Sequence, residues 1–389
     1  MKRKLTPFFD RALAAFYGLA IGDALGMPTQ NFTQSDIYHR FPDGITKFEP
    51  APADQPITPN YPAGTITDDT EQALIVAKLL IAGKGQINQK DFAKSLASWH
   101  KQKIKNNTAD ALGPSTLKAL ELLKQGDPNP GRFGDTNGAA MRITPVAIAH
   151  PPTRLTNLVE TKPAKKANYK SEHFTKMDTK ILSRRITSPI LNASILTHNT
   201  GNGLASATAV GLMISSLIDG SQLVDAVDNV QFVTDMYNNA FGFQVGAYVS
   251  ERLAYALSNP LHPWATYTMI GTSSKANESI PAVFSLLNPL LEQESNINQV
   301  TLQHLAYDQL LTAASLGGDT DTIAAMFGAI IGARFGMHVF PADMIETVKK
   351  VNTLKLEELV QQLLKIRCSG KTPDTLTGTI VGDPPLPEL

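Results

Sequence analysis

The chain has 389 residues, with 35 Lys+Arg and 35 Asp+Glu, so its formal net charge is zero. A neutral chain lacks the positive field that neutralises duplex phosphates, which argues against a dedicated nucleic-acid binder. The single cysteine, Cys368, excludes an internal disulfide and multi-cysteine zinc or iron–sulfur sites, and it fits a reducing compartment.

The basic start Met1–Lys4 and the apolar run Ala12–Gly22 resemble a secretion signal only superficially. Asp10 and Arg11 interrupt the approach and Asp23 closes the run, so the segment reads as a helix over Arg11–Leu25 of a soluble cytoplasmic protein. Spacings of three and four between apolar residues predict further helices over Glu71–Ala82, Phe92–Lys103, Ser115–Lys124 and Ile190–Leu196. The same pattern continues in Leu204–Ile218, Leu223–Met236, Ala240–Leu257, Leu302–Leu316, Ile323–Gly336 and Leu356–Ile366. No uncharged apolar run reaches the ~18 residues of a membrane span, so no membrane partner is expected. The best alternating pattern, Thr377–Val381, lies in a Pro- and Gly-rich tail over 371–389. The Pro-rich stretches Pro50–Pro62 and Asp127–Pro130 read as loops, and the lysine-rich segment 151–185 reads as a solvated surface insertion. The class is mainly α, with one helical domain over 1–370. Gly18, Gly22 and Gly26, and again Gly328 and Gly332, recur at helix-facing spacings that permit close packing of backbones.

Two acidic clusters carry the chemistry: Thr67-Asp68-Asp69-Thr70-Glu71 and Gly317-Gly318-Asp319-Thr320-Asp321-Thr322. Each follows glycine and opens an apolar helix. Helix capping explains one side-chain oxygen at such a place, and Asp68 with Glu71 fits a capping-box spacing. It does not explain two carboxylates and a hydroxyl at each of two helix starts. If the helices converge, four carboxylates share one small volume, where like charges ~4 Å apart repel by about 4 kcal/mol at an effective dielectric of ~20. Oxygen ligands of this kind suit hard divalent ions, Mg²⁺ or Mn²⁺, and two such ions are the expectation.

Together with Gly18-Leu19-Ala20-Ile21-Gly22-Asp23-Ala24-Leu25-Gly26 and Asn137-Gly138-Ala139-Ala140-Met141-Arg142, the two clusters resemble the ADP-ribosylglycohydrolase family in order and separation. The resemblance implies a compact, all-α, orthogonal helical bundle that hydrolyses the bond between ADP-ribose and an acceptor. It implies a two-metal site in which Thr67, Asp68, Asp69, Asp319, Asp321 and Thr322 are ligands. Asp69 or Asp319 would orient or deprotonate the attacking water. Asn137, Gly138, Met141 and His198 resemble residues that line the substrate cleft. Gln30 stands where many family members have glutamate, and a glutamine cannot take a proton. Asp110 resembles a further acidic position, one residue further from its glycine than the family pattern. The implied substrate is an ADP-ribosylated protein, modified on arginine. A small ribosyl compound and a non-catalytic ADP-ribose-binding role are the alternatives.

Overall fold

A computed structural model describes residues 6–105, 112–155, 188–240 and 246–369. Asp110, residues 156–185 of the lysine-rich segment and the tail 371–389 lie outside the described residues. The helices in chain order are α1 (Pro7–Gly26), α2 (Gln34–Arg40), α3 (Asp68–Ala82), α4 (Gln89–Lys105), α5 (Pro114–Lys124) and α6 (Thr144–Ala149). Then come α7 (Pro152–Leu155), α8 (Pro189–Ser194), α9 (Gly201–Ile218), α10 (Leu223–Ala240) and α11 (Val249–Ser258). The last are α12 (Ala276–Ser285), α13 (Asn288–Gln293), α14 (Gln299–Ala313), α15 (Thr320–Phe335), α16 (Ala342–Val351) and α17 (Leu356–Ser369). Among the described residues there is no strand, only an isolated bridge between Thr136 and Lys275.

The predicted helix over Ala240–Leu257 is instead the end of α10 and the separate α11, with Gly246–Tyr248 outside any helix. Its apolar spacing continues through the break, so periodicity alone does not mark it. The helices α2, α6, α7, α12, α13 and α16 were not expected. Pro145 lies in α6 and Pro281 in α12, and α16 is amphipathic with few buried residues.

The centre of the fold is the contact of α1 with α15. The small-residue spacings are there for packing. A methyl group on Gly22 would lie 2.0 Å from the carbonyl oxygen of Ala324, and one on Gly18 would lie 2.1 Å from that of Gly328. Only hydrogen in place of a side chain lets these backbones meet. This crossing brings the C-terminal turn of α1 beside the N-terminus of α15, where the second acidic cluster begins. The helix α9 is long and apolar enough to cross a membrane by composition, yet all of it is buried, packed against α6, α8, α10 and α15.

His150, at the end of α6, is buried with Nε2 on the carbonyl oxygen of Gly85. Burial, with Arg154 and Arg367 nearby, pushes its pKa down to about 4 from 6.5. The neutral ring therefore stabilises the fold above about pH 6.5, and this contribution is lost as pH falls towards about 4. Over that window the wild-type protein should lose up to about 3 kcal/mol that His150→Gln does not lose, read from denaturant titrations at pH 7 and pH 4.5.

Candidate active site

The first acidic cluster opens α3 and the second opens α15, and neither caps its own helix. Thr67 and Asp319 are the N-cap residues and neither side chain makes a cap hydrogen bond. The capping-box reading of Asp68 and Glu71 is therefore not realised. Glu71 instead accepts from Trp99 Nε1 at 2.7 Å and pairs with Lys103 at 2.6 Å. The cap of α3 comes from α1. Asp23 is fully buried and accepts from the Thr67 N–H at 2.9 Å, the Thr67 hydroxyl at 2.8 Å, the Thr70 N–H at 3.1 Å and the Thr70 hydroxyl. Burial raises its pKa to about 7 against the pull of these donors. Asp23 was not singled out as a site residue. Its signal in the sequence was a lone carboxylate in an apolar helix, which must find partners once buried.

The two clusters, some 250 residues apart in sequence, converge. The Thr322 hydroxyl donates to Asp69 Oδ2 at 3.2 Å, and the Thr67 hydroxyl lies 3.3 Å from the same oxygen. Asp69 is buried, and its Oδ1 has no hydrogen-bond partner. Burial, then Asp321, Asp68, Asp23 and Asp319 in turn, hold its pKa well above the ordinary carboxylate value. Asp321 is raised in the same way, by burial and then by Asp319, Asp23 and Asp68. Asp319 is raised by burial and pulled down by Asn137, which donates to its Oδ2 at 2.6 Å. The Asp319 N–H donates to Thr272 at 2.7 Å, and the Asn137 N–H to Ser274 at 2.9 Å, so one segment anchors both.

Carboxylate and hydroxyl oxygens meet here, flanked by the amide nitrogens of Asn137 and Gln72, and the buried orphan Oδ1 of Asp69 is a place that a cation would satisfy. Among the described residues no three Asp, Glu, His or Cys side chains already surround one point. The hydroxyls of Thr67 and Thr322 occupy part of the space between the carboxylates, so the donor set is mixed carboxylate and hydroxyl. That set fits a hard divalent ion completed by water.

A family model described as ADP-ribosylglycohydrolase matches residues 4–167 and 174–372. The chain belongs to the ADP-ribosylglycohydrolase family. It is accordingly a hydrolase. YegU of Escherichia coli, an uncharacterised protein, is 26% identical over 92% of this chain and 97% of its own length. The ADP-ribosyl-[dinitrogen reductase] glycohydrolase of Rhodospirillum rubrum is 23% identical over 92% of this chain and 96% of its own. The ADP-ribosylarginine hydrolase Tri1 of Serratia proteamaculans is 25% identical over 91% and 79%. A solved ADP-ribosylglycohydrolase-related protein complex shares the fold, with TM-score 0.55, 20% identity and coverage of 93% of this chain and 99% of that one.

The other residues singled out in the sequence, His198, Gly138, Met141 and Gln30, are all buried. His198 is fully buried, with Nδ1 2.8 Å from the Thr197 hydroxyl and Nε2 2.9 Å from that of Thr136. Arg142 donates to the Thr197 oxygen, which leaves the Thr197 proton for Nδ1; Thr136 donates to Ser115 and so accepts from Nε2–H. Burial and Arg142 hold the imidazole pKa well below 6.5, so the ring is neutral. Gly138 accommodates it, since a methyl group there would lie 2.9 Å from His198 Cε1. Met141 is buried behind the same loop, its N–H on the Asn137 carbonyl at 3.0 Å. Gln30 is buried after α1, its amide 3.3 Å from the Thr58 hydroxyl, and Gln55 holds its carbonyl at 3.1 Å. Arg142 and Gln72 were also not singled out, although Arg142 stands in the Asn137–Arg142 motif.

Proposed function

We propose that the chain hydrolyses the glycosidic bond between ADP-ribose and the arginine side chain of a modified protein. The observation that carries this reading is the convergence of the two acidic clusters on Asp69, whose Oδ1 is buried without a partner. The names of the Rhodospirillum and Serratia relatives support the substrate. Thr67, Asp68, Asp69, Asp319, Asp321 and Thr322 would hold two Mg²⁺ ions, with Mn²⁺ as the alternative. Ions bound there supply charge compensation, hold ribose hydroxyls and lower the pKa of a bound water.

Asp69 would orient the attacking water and take its proton as general base. The water oxygen bonds to the anomeric carbon. The bond from that carbon to the guanidine nitrogen breaks, and the nitrogen leaves with the electron pair and takes up the proton that Asp69 received from the water. Asn137 fixes Asp319, so that the second cluster keeps its orientation through the reaction. Gln30 takes no proton in this scheme, since a carboxamide is not a base; its nitrogen donates to Thr58.

The test is ADP-ribosyl-arginine incubated with the purified protein in Mg²⁺ or in EDTA, with products separated. ADP-ribose should appear only with Mg²⁺. Release in EDTA contradicts the metal reading. No release in either condition favours a small ribosyl substrate, the second reading, to which the replacement of glutamate by Gln30 points.

A further inference from the structure

Arg142 is fully buried, yet among the described residues it forms no ion pair with a carboxylate. One guanidinium nitrogen donates to Gln72 Oε1 at 2.7 Å, another donates to Thr197, and Nε has no partner. Its face lies over Phe92, 5.2 Å from the ring centroid. Burial lowers its pKa only to about 10, partly offset by Asp68, so it is a cation near neutral pH. A buried cation without a paired carboxylate is costly, and the fold keeps this one directly behind the acidic site.

Gln72 lies one turn after Asp68 on α3. Its amide nitrogen donates to Asp68 Oδ2 at 2.7 Å, while its oxygen accepts from Arg142. The orientation of this amide follows from chemistry. Guanidinium can only donate and an ionised carboxylate can only accept, so oxygen must face Arg142 and nitrogen must face Asp68. The cation thus polarises the amide that grips Asp68.

We infer that Arg142, acting through Gln72, is a positioning device for Asp68: it holds this carboxylate oriented for a divalent cation. The inference rests on the metal reading proposed above. Gln72 and Arg142 touch no reacting atom in it; they are positioning residues.

The two arms of Arg142 provide an internal control. Gln72→Met and Thr197→Val each remove one hydrogen bond of the same buried guanidinium; the second also frees His198 Nδ1, but only the first touches Asp68. Binding of Mn²⁺ is followed by loss of the free-ion electron paramagnetic resonance signal, alongside a thermal melt of each variant. Gln72→Met should weaken Mn²⁺ binding about tenfold, the scale at which outer partners of metal ligands act. Thr197→Val should stay within about twofold of wild type for a similar loss in melting temperature. Where Gln72→Met does not fold, Gln72→Asn replaces it, since its shorter side chain cannot hold both partners. Equal weakening in both variants, or none in either, overturns the positioning role while leaving the metal site standing. Wild-type protein that binds no Mn²⁺ overturns the metal reading and the inference with it.

Discussion

Asp69→Asn is expected to raise the melting temperature of the metal-free protein while lowering ADP-ribose release by about 10³-fold, a loss of about 4 kcal/mol of transition-state stabilisation. The two effects have one cause. Asp69 is buried among Asp321, Asp68, Asp23 and Asp319, all of which disfavour its charge, and its Oδ1 has no donor. Replacing the carboxylate by a neutral amide of the same shape removes that repulsion. It keeps an oxygen for the Thr67 and Thr322 hydroxyls and places an NH₂ where the neighbouring carboxylates can accept. A gain of about 1 kcal/mol would move the midpoint by about 1 °C in a chain of this size. The same substitution deletes the group read as ligand and base. Melting in EDTA, together with product release in Mg²⁺, checks both halves. An Asp69→Asn protein that melts below wild type in EDTA contradicts the account of a strained cluster, and one that retains turnover contradicts the role of Asp69.

The helices and the two clusters were legible in the sequence for local reasons. Glycine before a polar turn and an apolar 3.6-residue period after it are written into α3 and α15 themselves. What brings these helices together is not local. It depends on α1, whose Gly18 and Gly22 meet the backbone of α15 more than 300 residues away. The glycine spacing announces a close contact but does not name the partner. Asp23 is similar: a carboxylate inside an apolar helix announces buried donors, and only the fold shows that they belong to Thr67 and Thr70. Arg142 and Gln72 were illegible for another reason. Each is a common residue in a helix or turn, and their meaning lies in a chain of hydrogen bonds joining three separate segments. The helix α12 escaped because Pro281 sits within it, and proline usually ends a helix.

Asp23 should show the opposite sign from Asp69, although both are buried aspartates in the same cluster. Its two oxygens accept from two backbone N–H groups and two hydroxyls, all at the start of α3. An asparagine keeps the shape but turns one acceptor into a donor. With NH₂ on the Oδ2 side the Thr70 N–H loses its acceptor; with NH₂ on the Oδ1 side the Thr67 N–H keeps Oδ2 at 3.1 Å, but the Thr67 hydroxyl loses its acceptor. Either loss costs about 1–3 kcal/mol, so the expected destabilisation is about 2 kcal/mol. Relief of like-charge repulsion works the other way, but Asp23 is less exposed to that repulsion. The shift of its pKa, to about 7, is caused by burial, whereas that of Asp69 adds four acidic neighbours. The first turn of α3 therefore loosens, and Thr67, Asp68 and Asp69 lose their fixed positions together. Asp23→Asn should melt about 2 °C below wild type in EDTA and lose about 100-fold in ADP-ribose release, which saturating Mg²⁺ does not restore. Melting at or above wild type would show that Asp23 is one more strained member of the cluster, not the group that holds the first motif in place.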